Sequence, residues 1–384
     1  MFKYPKSKSK LYLSFVLLVL IFNSYIGLNW FSLGFGANSV SLTQGTKSEA
    51  IFIEGNRAYV VDQEKGTEIY DISDPLNISL ISQVSRWGNT SKGLFVKEGI
   101  GYIADGWEHG VRIINFTDSS YTYQISQIQP KKCFINDVDI QNNTLFIAAG
   151  ESGLMIYDIA DITYPRYLSS FGNEYNSTDG IYIKNNFAFL ADGKDGLEIV
   201  NISNPSAPEF IGNYSINTES YGISGDNNLI FLADGTKGFK ILNVEDATNI
   251  SMLGEYKEEF GTLWNVIVQN DVAFLAYGLS GLIAVNLTNS KIPQKLESYY
   301  SGGNTVDLAI SGKTLYLADN WHGLKRLNIT NVSHFEKIEN SNIIDDQNDQ
   351  FRAPFWLLGG LGIIVLFGSL YINQTKKRPL PEKL

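Results

Sequence analysis

The sequence is short of the residues that most often carry chemistry. Its 384 residues include one cysteine, Cys133, three histidines and three methionines. A single cysteine excludes an internal disulfide framework, so stability has to come from burial. The histidines are His109, His322 and His334, and they form no HExxH or other metal-ligand spacing. No D-x-D-x-D-G calcium loop, no G-x-S-x-G elbow and no phosphate-binding glycine loop occurs. No metal and no cofactor is therefore expected, and catalysis finds little support. Basic charge is scarce as well: Lys+Arg 30 against Asp+Glu 40 leaves a formal net charge of -10. Such a chain lacks the cationic clusters that neutralise phosphate, which argues against nucleic acid as a partner. A sustained helical period is also missing between the two ends.

What is present is a repeat. The phrase AFLADGKDGLEIVNISNPSAPEFIGNY (188–214) recurs, and its turn glycines fall at Gly66, Gly110, Gly153, Gly196, Gly238, Gly281 and Gly323. That is a period of about 43 residues, the range of propeller blades. Each copy reads as four short strands, which in the fourth copy are 180–183, 188–191, 197–202 and 209–214. Asn185 and Asn186 suit a tight hairpin, DGKDG (192–196) supplies glycines to the next turn, and the prolines of SNPSAP (203–208) end a strand. The strands are apolar on both faces, as sheets covered by neighbours on both sides require. The prediction is an all-β, seven-bladed β-propeller of four-stranded antiparallel blades over 50–340, its last strand near 334–340. Whether residues 39–43 pair into the closing blade stays open.

The segments 58–75, 188–208 and 315–331 resemble the LVIVD repeat family. That resemblance implies a β-propeller of bacterial or archaeal surface proteins, mostly of unassigned function. It covers about residues 50–340 and is specific to the fold. Copies three and six depart from it, with Ala149 and Tyr277 where the others have Asp.

The ends suggest a compartment. A basic start followed by the apolar run 11–22 predicts a signal peptide or an uncleaved N-terminal anchor over 1–36, then a lead-in, 37–49. After the repeats come an acidic linker (341–354), an uncharged stretch long enough to span a bilayer (355–372) and a basic tail (373–384). Lys376, Lys377 and Arg378 beside the span mark the cytoplasmic side and leave the propeller outside. Asn-x-Ser/Thr sequons occur at Asn77, Asn89, Asn115, Asn142, Asn176, Asn201, Asn213, Asn249, Asn286, Asn328 and Asn331. They read as glycan acceptors, although Asn at a strand end is also ordinary turn chemistry. Asn115, Asn201, Asn286 and Asn328 end third strands and should share one face, joined by Asn142, Asn249 and Asn331.

The opposite face gathers the turns after second strands and the blade-to-blade crossings. There Trp107, Trp264 and Trp321, with His109 and His322, are candidate ligand-binding residues, because large aromatics usually finish in cores. Packing against neighbouring loops would also account for them. Asp137, Asn265 and Asp307 share one register at the start of innermost strands, so they could hold a polar ligand or simply line a wet channel. Asp62, Asp105, Asp192, Asp234 and Asp319 each precede a turn and should cap it through backbone N–H groups. Cys133, beside Lys131 and Lys132, is either an activated thiol or a packed small residue. Together these features predict a membrane-anchored, extracytoplasmic binding module for a cell-surface protein or glycan. The alternatives are a glycan hydrolase acting through loop carboxylates and a structural envelope component.

Overall fold

The computed structural model describes residues 47–338, apart from 86–89, 132, 173–176 and 217. The chain divides into Met1–Glu339 and Asn340–Leu384, and every described residue lies in the first unit. The segments 1–36, 341–354, 355–372 and 373–384 lie outside the described residues, as do Trp87, Asn89, Lys132, Tyr175 and Asn176. Among the described residues no helix is long and apolar enough to cross a membrane.

Seven four-stranded antiparallel sheets follow one another along the chain, each built from four consecutive strands. The first strands neighbour each other in sequence order, and that of blade seven, Thr305–Ser311, returns beside that of blade one, Ser48–Glu54. This closes a ring whose axis is lined by first strands. Among the described residues no strand is exchanged at closure: the outer strand of blade seven, Glu336–Lys337, comes from the residues just after its third strand, and residues 39–43 lie outside the described residues.

Each core cluster spans one seam between blades. In blade one, Ala58 and Val60 of the second strand pack with Tyr316 and Ala318 of blade seven, while Tyr59 and Val61 pack with Ile103 and Ile114 of blade two. Side chains alternate across a strand, so a strand between two seams must be apolar at every position. The second and third strands are accordingly buried almost throughout.

The turns behave as their residues predict. Asn185 has φ 54° and Asn142 φ 56°, left-handed conformations that asparagine tolerates. One turn differs from expectation. Blade two carries one residue more than its neighbours between Asp105 and Gly110, and Gly106–His109 forms a single helical turn.

Hydrogen bonds fix which connections share a face. The turn glycine after the second strand bridges the crossing into the next blade: Gly106 to Ile135, Gly150 to Thr178, Gly193 to Ser220, Gly235 to Leu263 and Gly278 to Thr305. These turns and crossings form one face, here the loop face. On the other side the first hairpin bonds to the residue after the third strand, as Ile72 N to Asn56 O and Ile202 N to Asn186 O, both near 2.9 Å. This is the hairpin face.

Candidate functional site

The aspartates ending second strands are buried, and they have two kinds of work. Asp62 Oδ1 accepts from Glu64 N and Lys65 N at 2.8 and 2.9 Å, and Asp319 Oδ1 from Trp321 N and His322 N at 3.0 and 3.1 Å. These cap their turns as expected. Asp105 instead accepts from Ser91 Oγ at 2.6 Å and from Arg112 Nε at 2.7 Å, and Asp192 accepts from Thr178 Oγ1 at 2.7 Å. Asp234 accepts from Thr218 Oγ1 and lies 3.3 Å from Lys240 Nζ.

Sequence reading missed this buried network, although its signal was available. In blades one, two and four the bonding hydroxyl stands fourteen residues before its aspartate, at Ser48, Ser91 and Thr178, whereas in blades five and seven Ser220 and Thr305 hold that position and donate to Gly193 O and Ser301 Oγ instead. A third position lies in the facing third strand: Glu68, Arg112, Glu198, Lys240 and Lys325. Blades two, five and seven place a cation there. Blades one and four place a glutamate against an aspartate. Burial, followed by Asp192 and Asp195, pushes the Glu198 carboxyl up to about 7. Glu68 is also raised by burial, with Lys65 and the Tyr70 hydroxyl opposing the rise.

The axial residues are engaged across seams. Asp137 Oδ1 accepts from its own Val138 N at 2.8 Å, and Oδ2 from Ile181 N of blade four at 3.2 Å. Asp139 repeats the pattern two residues on, with Ile140 N at 2.6 Å and Ile183 N at 2.7 Å. Asp307 accepts from Leu308 N and from Ile51 N of blade one, both at 2.8 Å, and Asn265 Nδ2 donates to it at 2.5 Å. An innermost strand is a sheet edge, and its outward N–H groups have no ladder partner. These carboxylates supply one. Burial raises Asp137 to about 7 and Asp307 and Asp139 to about 6.

One residue earlier, the seven copies read Glu49, Lys92, Asn136, Asp179, Tyr221, Trp264 and Val306. The loop-face end of the axis is therefore polar over blades one to four and aromatic or apolar over blades five to seven. Asn136 Nδ2 donates to Asp179 Oδ1 at 2.7 Å, and Glu49 accepts from Gln63 and Asn320. Asp179 is raised by burial to about 6, against the pull of Ser177 and then Lys92. Tyr221 and Trp264 lie with ring centroids 4.7 Å apart, tilted by 44°. They wall a cleft of about 300 Å³ together with Lys194, Thr218, Glu219, Thr236 and Thr262.

The predicted aromatics thus share the loop face but sit at separate places on it. Trp107, on the helical turn of blade two, is 59% exposed and meets Phe134 edge-on at 5.6 Å. Trp321, in the blade-seven turn, is 55% exposed, and His322 Nδ1 lies 3.5 Å from Asp319 Oδ1. His109 offers its backbone oxygen to Gln127 Nε2 at 2.6 Å. Trp264 is half-buried beside Tyr221, which stands at the same position of the preceding blade-to-blade crossing. Cys133 is buried, and burial pushes its thiol up, so it is a packed residue.

The sequons at Asn77, Asn115, Asn142, Asn201, Asn249, Asn286, Asn328 and Asn331 lie on the hairpin face, in first hairpins or after third strands. Asn213 is instead on the outer strand of blade four, toward the loop face. Asn115, Asn201, Asn286 and Asn328 each accept the N–H two residues on through Oδ1, at 2.8 to 2.9 Å, as turn chemistry requires.

The sequence matches the LVIVD repeat at residues 45–85, 135–172, 176–216 and 302–342, which are blades one, three, four and seven. Four of the seven blades are LVIVD repeats, and the fold is a seven-bladed propeller. Blade three matches despite Ala149, whereas blades two and five, which keep Asp105 and Asp234, do not. The buried aspartate is therefore not what marks an LVIVD blade here. No protein with a curated description matches the sequence. Among solved structures, a functionally unknown protein from Desulfotomaculum acetoxidans DSM 771 is 15% identical, with TM-score 0.60 over 72% of this chain and 93% of that one. The β-propeller domain of Myceliophteria thermophila Cps50 (Swd1) is 10% identical, with TM-score 0.60 over 75% of this chain and 97% of that one. The computationally designed Ika8 protein is 11% identical, with TM-score 0.58 over 78% and 88%. At such identities these likenesses concern the propeller fold alone.

Proposed function

We propose that this propeller is a binding module that presents its loop face to a cell-surface protein or glycan. In this reading the chain is anchored in a membrane through 355–372, with the propeller outside and the tail 373–384 in the cytoplasm. The observation that carries it is the exposure of Trp107 and Trp321 on one face of a stiff scaffold. Indoles exposed on loops are costly to keep in water and are favoured where a partner covers them. The sequons strengthen the assignment of faces, since most of the described ones lie on the hairpin face and glycans there would leave the loop face open. Binding is favoured over hydrolysis because the carboxylates at the loop-face turns are already engaged: Asp62 and Asp319 accept backbone N–H groups, Asp105 accepts from Ser91 and Arg112, and Asp192 from Thr178.

The test is affinity capture from a membrane and envelope fraction, with the full chain beside a folded Trp107→Ala/Trp321→Ala variant. A component held by the first and lost by the second is expected. Equal capture by both would remove the two indoles from the function.

A further inference from the structure

We propose that the cleft walled by Tyr221 and Trp264 is a carbohydrate subsite that takes a neutral or amino-sugar ring. This rests on the binding reading above and assigns a ligand class to one part of the loop face.

Four observations converge on it. The cleft is concave and holds about 300 Å³, at the lower end of small-molecule sites, which suits one or two sugar rings better than a protein surface. Its wall is an aromatic pair, and the C–H faces of a pyranose are the apolar surface that stacks on such rings. Its rim carries the hydroxyls of Thr236 and Thr262, each able to donate and accept toward sugar hydroxyls, and that of Thr218, which donates to Asp234 and keeps its lone pairs for accepting. Lys194 and Glu219, both exposed, add one donor of three hydrogens and one acceptor.

Charge narrows the class. Glu219 is close enough to raise both the Tyr221 hydroxyl and the Asp179 carboxyl, so a second carboxyl lies near the first. An acidic sugar would bring a further negative charge against these two, which already share the cations Lys194 at the cleft and Lys92 at Asp179. A neutral sugar meets no such repulsion, and a glucosamine-type ammonium would be drawn toward Glu219.

The asymmetry of the axis explains why the cleft lies at blades five and six. Only there does the position before the axial residue carry aromatic rings, and Gly222 between them leaves no room for a side chain. A Cβ on Gly222 would stand 2.5 Å from Asn265 Oδ1 and 2.6 Å from Trp264 O. The glycine lets the two crossings approach until their rings meet.

The experiment is calorimetric titration of the purified full chain with six disaccharides. These are cellobiose, mannobiose, galactobiose, N,N′-diacetylchitobiose, the glucosamine dimer and digalacturonate. At least one neutral or amino disaccharide is expected to bind, and digalacturonate to bind more weakly. Tyr221→Ala and Trp264→Ala should each weaken binding by about tenfold or more, as anchors of a site do, while Tyr164→Ala, exposed on the hairpin face, leaves it unchanged. Because Trp264 is half-buried and its loss could unfold the blade, the exposed Glu219→Gln and Lys194→Ala serve as companions. They should weaken binding several-fold without moving the thermal midpoint. The proposal is overturned if none of the six binds, if digalacturonate binds tightest, or if folded Tyr221→Ala binds like the wild type. Failure here with capture still dependent on Trp107 and Trp321 would discard the cleft alone. Capture independent of those indoles would discard the broader reading.

Discussion

The most unusual residue of the buried network is Glu198. It is 7% exposed, and it occupies the position where Arg112, Lys240 and Lys325 bring a cation to the aspartate of their own blades. Burial first, and then Asp192 and Asp195, raise its carboxyl to about 7. A raised carboxyl contributes stability that is complete below its unfolded value, about 4.3, and is lost as pH climbs through the folded value. Stability should therefore fall between about pH 4.3 and 7, where the carboxyl ionises in the unfolded chain while the folded blade four keeps it protonated. Replacing it with glutamine keeps the shape and removes the charge. We expect Glu198→Gln to be more stable than the wild type at pH 8, by about 1 to 3 kcal/mol, and nearly equal to it at pH 4. Denaturant unfolding at the two pH values reads this directly, and a variant no more stable at pH 8 would refute it. Arg112 is the opposite case. Its guanidinium is 2.7 Å from Asp105, both groups are buried, and burial pulls its pKa down against that partner.

At the scale of the strand and its turns, the spacing between blades depends on glycines that face a neighbour. Gly180 opens the working part of the first strand of blade four, and a Cβ there would stand 2.3 Å from Tyr221 O in the next blade. Backbone cannot rotate away as a flexible side chain would, so the blades must separate. Gly180→Ala should cost about 1 to 3 kcal/mol, the range of overpacking in a close-packed core. Its effect should centre on blades four and five, visible as faster amide exchange in their first strands. Unchanged exchange there would show that the seam has slack. The outer strands carry a different device. In blades one to six the pairing of third and fourth strands slips by one residue, for example between Ile199 and Val200 in blade four. A bulge there increases the local twist and bends the outermost strand, which suits the edge of a blade exposed to solvent.

At the largest scale the propeller is a ring with one joint, where blade seven meets blade one. Among the described residues no strand crosses that joint. Blades seven and one are held by side chains: Asp307 accepts from Ile51 N at 2.8 Å, Asn320 reaches Glu49, and the buried Arg326 donates to Pro75 O. Apolar packing of Ile51, Val60 and Tyr70 against Tyr316 and Leu324 completes the seam. Asp307→Ala would strand the Ile51 N–H and release the Asn265 amide, at a cost of about 1 to 3 kcal/mol for the buried donor. Its effect should begin at the joint, so exchange in 48–54 and 305–311 should rise before that of blades three to five. Uniform loss of protection around the ring would indicate that Asp307 is no special pin of the closure.

The architecture was legible in the sequence because a blade is a local object. Four strands, their turns and the unbroken apolar runs of the middle strands all lie within one repeat, so a period of about 43 residues and its turn residues specify them. The positive φ at Asn185 and the turn capping by Asp62 and Asp319 follow from those residue types in those places. What only the tertiary structure decided is which residues from different blades meet. Asp137 and Ile181, Asp307 and Ile51, and Tyr221 and Trp264 are between 43 and 256 residues apart. Their partnership depends on blade-to-blade packing, which no local pattern records. The same holds for the division of the loop-face aromatics into exposed Trp107 and Trp321 and a half-buried Trp264. Exposure is set by the neighbouring blade, and one repeat read by itself carries no neighbour.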